Sequence, residues 1–144
     1  MTTESPNNHY EGACLCGAVT VAVDNADTHI HACHCSMCRT WSSSSLMAVS
    51  VASASFGGEE KITRYRSSDW AERGFCNQCG TNLFYHMPEN DHYIICTGVF
   101  KDTSDFELTG EIFIDEKPAF YDIAGDHPRL TGEEFLASLA GTQG

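Results

Sequence analysis

Positive charge is scarce in this chain: eight Lys and Arg stand against 20 Asp and Glu, for a formal net charge of −12. Nucleic acid and anionic membrane surfaces both call for a basic face, so neither is expected as the main partner. No apolar run approaches the ~20 residues that a membrane-spanning helix needs. The opening MTTESPNNHY is polar and lacks a cationic stretch followed by an apolar one, so no secretory signal is expected. Repeats, linkers and low-complexity tracts are lacking too, apart from the serines at 42–45. A cytoplasmic location is the expectation, and it governs how the eight cysteines are read. In a reducing compartment, clustered cysteines are more often metal ligands or catalytic thiols than disulfides.

At 144 residues the chain is long enough to bury a core of its own, and 42% hydrophobic content describes a folded chain rather than a disordered one. We read residues 1–10 as a flexible arm and 11–144 as a single domain. The run GACLCGAVTVAV (12–23) alternates with Val19, Val21 and Val23 on one face, which predicts a strand. Further strands are expected in HIHAC, LMAVSVASASF, KITRYRSS, the apolar run after Cys79, HYIICTGVF and the start of EIFIDEKPAFYDI, where Pro118 limits continuation. A short helical turn is expected through SMCRT. Thr131 stands three residues before Glu134, a capping-box spacing, with Phe135, Leu136 and Leu139 supplying an apolar side, so a helix is predicted near the end. The expected fold is mainly β with short helical additions.

Seven cysteines form three groups: Cys14 and Cys16; Cys33, Cys35 and Cys38; Cys76 and Cys79. On a strand, residues i and i+2 point the same way, so the C-x-C pair can reach one ion. The C-x-x-C pair is followed by Gly80 and suits a tight turn whose sulfurs converge. Together Cys14, Cys16, Cys76 and Cys79 make one four-thiolate tetrahedral zinc site. A redox role for the C-x-x-C pair expects a βαβ setting, which the flanking pattern lacks. Cys33, Cys35 and Cys38 then remain as three closely spaced thiolates. Spacing alone leaves two arrangements open: a second closed site completed by His31, His34 or Cys96, or a site that keeps one position for an exogenous ligand.

The segments G-x-C-x-C-G (12–17), C-H-C-S-M-C-R (33–39) and R-G-F-C-N-Q-C-G-T-N-L-F (73–84) resemble the glutathione-dependent formaldehyde-activating enzyme family, whose domain centromere protein V shares. Ser67-Ser68 and the late segment EIFIDEKPAFYD support the resemblance, which spans roughly residues 10–125. It implies a zinc-braced, β-tent-like domain with two metal sites. Cys14, Cys16, Cys76 and Cys79 match the structural ligands, and Cys33, Cys35 and Cys38 match the site linked to glutathione and catalysis. The implied reaction is a carbon–sulfur lyase reaction, the reversible addition of glutathione's thiol to formaldehyde to give S-hydroxymethylglutathione. The chain departs from the family after Arg39, where TWSSSSL replaces a commonly glycine-bearing segment; Trp41 and the serines there reshape the pocket entrance or serve as ordinary core.

Three thiolates around a divalent zinc leave a formal charge near −1, so cationic neighbours would help. Arg39, Lys61, Arg64, Arg66 and Arg73 fall between residues 39 and 73, and Arg39 is the candidate for receiving a glutathione carboxylate. The expected partners are a small thiol and a small aldehyde. Two rival classes remain: a zinc-braced binding module without chemistry, and a thiol redox enzyme using Cys96 or the C-x-C-x-x-C group.

Overall fold

The alternation around Val19, Val21 and Val23 produces a strand whose inward residues are buried, as a period-2 pattern on a one-sided sheet requires. In chain order the strands are β1 (His9–Ala13), β2 (Thr20–Ala26), β3 (His29–Cys33), β4 (Leu46–Gly57), β5 (Ile62–Arg66), β6 (Glu72–Cys76), β7 (Asn82–Met87), β8 (His92–Cys96), β9 (Glu107–Ile112) and β10 (Arg129–Leu130). Two α-helices, α1 (Ser36–Ser42) and α2 (Gly132–Gln143), complete a mainly β chain. This computed structural model describes residues 8–143. The chain divides into two units: one takes the residues up to Thr28 and Ala48–Phe106, the other takes His29–Met47 and the residues from Glu107 onward. The division runs inside the span 11–144. Of the arm expected over 1–10, residues 1–7 lie outside the described residues, while His9 and Tyr10 belong to β1.

The first unit is an antiparallel sheet in the order β1-β2-β4-β8-β7-β6-β5. Its apolar interior includes Val21, Val23, Val51, Leu83, Phe84 and Ile95, and burying a side chain of this size stabilises by about 2 kcal/mol. Phe84 packs beside Phe56 and Tyr93, with ring centroids 5.1 and 5.0 Å away, and the Arg64 guanidinium lies 4.8 Å above it. A Cβ on Gly74 would fall 2.2 Å from that ring, so only glycine lets Phe84 lie flat across the neighbouring strand.

The strand predicted over 12–23 is a correction. It is two strands, β1 and β2, and the C-x-C pair sits in the turn between them. Gly17 takes φ +83°, and its amide donates to the Cys14 carbonyl at 3.0 Å, which ends the extended backbone.

In the second unit β3, β9 and β10 pair in parallel. The helical turn expected through SMCRT is α1. The capping box at the start of α2 closes reciprocally: Glu134 N donates to Thr131 Oγ1 at 3.1 Å, and Thr131 N donates to a Glu134 carboxylate oxygen at 2.8 Å. Phe135 packs near Phe113, with centroids 6.0 Å apart, and fastens the helix to the chain leaving β9.

Candidate functional site

In the first unit the turn after β1 carries Cys14 and Cys16, while the end of β6 and its following turn carry Cys76 and Cys79. All four sulfurs lie within 4.8 Å of one another. Tetrahedral zinc with bonds of about 2.3 Å sets sulfurs about 3.8 Å apart. The Cys14–Cys16 and Cys16–Cys76 sulfur separations are 3.7 and 3.9 Å, so the donors fit that ion.

Each turn is shaped for the purpose. Gly17 and Gly80 follow the two pairs in the left-handed region, at φ +83° and +81°. Val19 N donates to Cys14 Sγ and Gln78 N to Cys76 Sγ, both at 3.3 Å, so each of these buried sulfurs has a backbone partner. Thr81 joins the two turns, its hydroxyl lying 3.2 Å from Cys79 Sγ and accepting from Leu15 N at 3.0 Å. The Thr81 hydroxyl, with backbone amides, pulls the Cys79 thiol down to about 5, so it is ionised at neutral pH.

The second unit brings together Cys33, Cys35 and Cys38, whose sulfurs also lie within 4.8 Å of one another. Cys33 ends β3, Cys35 is the N-cap of α1, and Cys38 lies in the helix's first turn. Cys38 N donates to Cys35 Sγ at 3.4 Å, so the helix itself turns that sulfur toward its neighbours. Hydrogen bonds from the Cys33 and Cys38 thiols pull Cys35 down to about 2, while the same crowding pushes Cys33 up. Three sulfurs this close ionise together only around a cation, which is the chemistry of a metal-ligating set.

None of the sequence candidates for a fourth ligand joins this group. Both ring nitrogens of His34 are engaged, Nε2 with Glu111 at 2.7 Å and Nδ1 with the Tyr121 hydroxyl at 3.0 Å. His31 is exposed on β3, and Cys96 is buried at the end of β8 in the other unit.

Of the five basic residues noted in the sequence, Arg39 alone shares a unit with the three sulfurs. Its Nε donates to the His34 carbonyl at 2.9 Å, so one face of the guanidinium braces the loop. Arg64 is engaged by Glu72 at 2.6 Å and Tyr93 at 3.0 Å, Arg66 by the Asp69 carbonyl, and Arg73 is buried with its guanidinium over Tyr85. Trp41, in α1, is half-buried.

Sequence reasoning missed Glu111. This carboxylate is 1% exposed and receives His34 Nε2, His127 Nε2 at 2.7 Å and Arg129 Nε at 2.9 Å. The available signal was an acid next to the end of β9, directly before the apolar residues Ile112, Phe113 and Ile114.

Comparisons with known proteins find relatives in sequence and in fold. A sequence model of the family described as "Glutathione-dependent formaldehyde-activating enzyme" covers residues 9–116, a span that includes all seven grouped cysteines. An uncharacterized lyase of Schizosaccharomyces pombe is 35% identical over 132 residues, covering 90% of this chain and 96% of the relative. A crystal structure of a Rhodobacter sphaeroides protein superposes with a TM-score of 0.55 at 20% identity, covering 83% of this chain and 98% of that one, and shares the fold. The chain therefore belongs to the glutathione-dependent formaldehyde-activating enzyme family.

Proposed function

We propose that this protein is a zinc-dependent carbon–sulfur lyase that reversibly adds glutathione's thiol to formaldehyde, with Cys33, Cys35 and Cys38 as the catalytic metal ligands. The observation that carries the reading is the three-sulfur group itself: it converges as a ligand set does, and no fourth side chain among the described residues joins it. Cys14, Cys16, Cys76 and Cys79 hold the structural zinc. Family membership and the name of the S. pombe relative, a lyase, support the reaction class.

Zinc in such a three-thiolate site supplies Lewis acidity and favours the ionised form of an incoming sulfur at neutral pH. The chain's own residues do the rest. Cys33, Cys35 and Cys38 would hold the ion, and no fourth side chain among the described residues would compete with the substrate for it. His34 is held by Glu111 and Tyr121, so it takes no ligand position. Arg39 receives a glutathione carboxylate with the guanidinium donors other than Nε, which the His34 carbonyl occupies. In the reaction the thiol sulfur forms the new S–C bond to the aldehyde carbon. The C=O π pair moves to oxygen, and that oxygen takes the proton the thiol gave up. The substrates are small and soluble, and a cytoplasmic setting supplies both.

The test is zinc stoichiometry together with hemithioacetal formation followed by NMR on glutathione and formaldehyde. Two zinc ions and an accelerated approach to equilibrium are expected, with the acceleration lost in Cys35→Ser. One zinc and no acceleration would favour a zinc-braced binding module instead.

A further inference from the structure

We infer that Glu111 is a positioning residue for the three-thiolate site, acting through His34 to hold the backbone between Cys33 and Cys35 in the geometry that presents their sulfurs. The inference rests on the reading that this site holds zinc.

Every polar group of His34 is engaged, and the residue is fully buried. Its N–H donates to the Ile112 carbonyl at 3.0 Å, and its carbonyl accepts from Arg39 Nε at 2.9 Å. Its ring meets Glu111 at 2.7 Å and Tyr121 at 3.0 Å. A carboxylate accepts only, so Nε2 carries the proton toward Glu111. A residue tied at four points cannot rotate, and its chain neighbours on either side are two of the three sulfur ligands.

The ties are themselves held from behind. The other Glu111 oxygen receives His127 and Arg129, and Arg129 Nη2 also donates to the Ile123 and Gly125 carbonyls at 2.9 and 3.0 Å. Lys117 Nζ donates to the Tyr121 carbonyl and lies 4.9 Å from the Tyr121 ring centroid, fixing the hydroxyl that meets Nδ1. The segment after β9 thus serves as a scaffold for one residue.

A brace for the fold alone does not need this chemistry. Burying a carboxylate costs several kcal/mol before its partners offset it, and an apolar residue on β9 would stabilise the unit at least as well. What a directed carboxylate adds is orientation. The three sulfurs come from six consecutive residues, so no long-range cross-link sets their geometry, and contacts outside the ligand set must do so.

The test uses full-length zinc-loaded protein, with release by excess EDTA followed through a zinc-sensitive dye. The unmodified protein should release its two ions in two phases, the three-thiolate site first. Glu111→Gln places an amide N–H against an N–H donor, and should speed the first phase about tenfold or more. The second phase should change little, and the melting temperature should fall, because the same carboxylate also receives His127 and Arg129. Tyr121→Phe, which removes only the bond to Nδ1, should speed the same phase about threefold and decides the matter if Glu111→Gln fails to fold. With cobalt in place of zinc, the visible bands of the three-thiolate site should change while those of the four-thiolate site stay fixed.

Unchanged release from a two-zinc protein in both variants overturns the inference. So does equal acceleration of both phases, which would mark Glu111 as a brace for the fold and not for the three-sulfur site. A single zinc in the unmodified protein defeats the site reading itself and takes this inference with it. The parent's stoichiometry separates that failure from the variants' result.

Discussion

The two sulfur groups are built on opposite plans. In the first unit the sulfurs come from two turns far apart in sequence, with Cys16 and Cys76 separated by 60 positions. In the second they come from one stretch, Cys33 to Cys38, at the junction of β3 and α1. A metal bound by the first group closes a long loop and removes chain entropy from the unfolded state, whereas one bound by the second closes almost none. The first group has four sulfurs; the second has three, and His34 between two of them meets the buried carboxylate of Glu111. Under the proposed function, the contrast assigns stability and chemistry to different cysteines of one chain.

The largest effect that could break this contrast is at the first group. Cys76→Ser should give insoluble or low-melting protein, because metal binding at such sites is folding energy on the order of 10 kcal/mol. A variant that keeps the parental melting temperature would remove the structural assignment. Cys35→Ser should behave differently: a folded protein, one metal ion lost, and thiol–aldehyde activity reduced about a hundredfold or more, the scale of removing a catalytic group. Global unfolding of Cys35→Ser by circular dichroism would erase the distinction.

Two glycines sharpen the comparison at the level of packing. A Cβ on Gly12, in the first unit, would fall 2.0 Å from the Val99 backbone oxygen, which cannot move aside. On Gly110, in the second, it would meet Cδ2 of the exposed His31 ring at 2.7 Å, and that ring can swing away. Gly12→Ala should cost about 3 kcal/mol in urea unfolding and Gly110→Ala less than about 1. The reverse order would contradict the packing described.

Acid should separate the units as well. Burial pushes Glu72 and Glu111 up, but hydrogen bonds from His86 and Arg64, and from His127, His34 and Arg129, more than offset it, leaving both below the usual carboxylate value of 4.5. A depressed folded value means the stabilisation is fully present above the unfolded value and is lost as pH falls through the folded one. Glu72 is 22% exposed and Glu111 only 1%, so the second unit should lose more below about pH 4.5. Trp70 lies in the first unit and Trp41 in the second, so Trp70→Phe and Trp41→Phe proteins report each unit separately by fluorescence. A Trp70 signal that fails at higher pH than the Trp41 signal would reverse the expectation. The smallest effect is at the capping box, where Thr131→Ala should cost about 1 kcal/mol and lower helix content slightly by circular dichroism.

Much of this was legible in the chain itself. The cysteine spacing picked out the groups of sulfurs that converge in the structure, and hydrophobic alternation picked out most strands, because spacing within each group and alternation both depend on near neighbours. The Thr131–Glu134 cap is equally local, and it formed as its spacing required. The C-x-C pair was misplaced onto a strand because alternation continues across Gly17, and only the folded backbone shows that this glycine turns left-handed.

The cysteine groups, the capped final helix and the mainly β character therefore follow from residue types at short spacing, which is information a sequence carries directly. Tertiary structure alone decided that His34 is engaged at both ring nitrogens, that Arg39 braces a carbonyl, and that Glu111 meets the residue between Cys33 and Cys35. Glu111 meets His34 across 77 positions, and hydrogen bonds of that range are chosen by how strands pair. The parallel pairing of β3 with β9 sets Ala32 opposite Glu111 and Cys33 opposite Ile112, a register that no local pattern encodes.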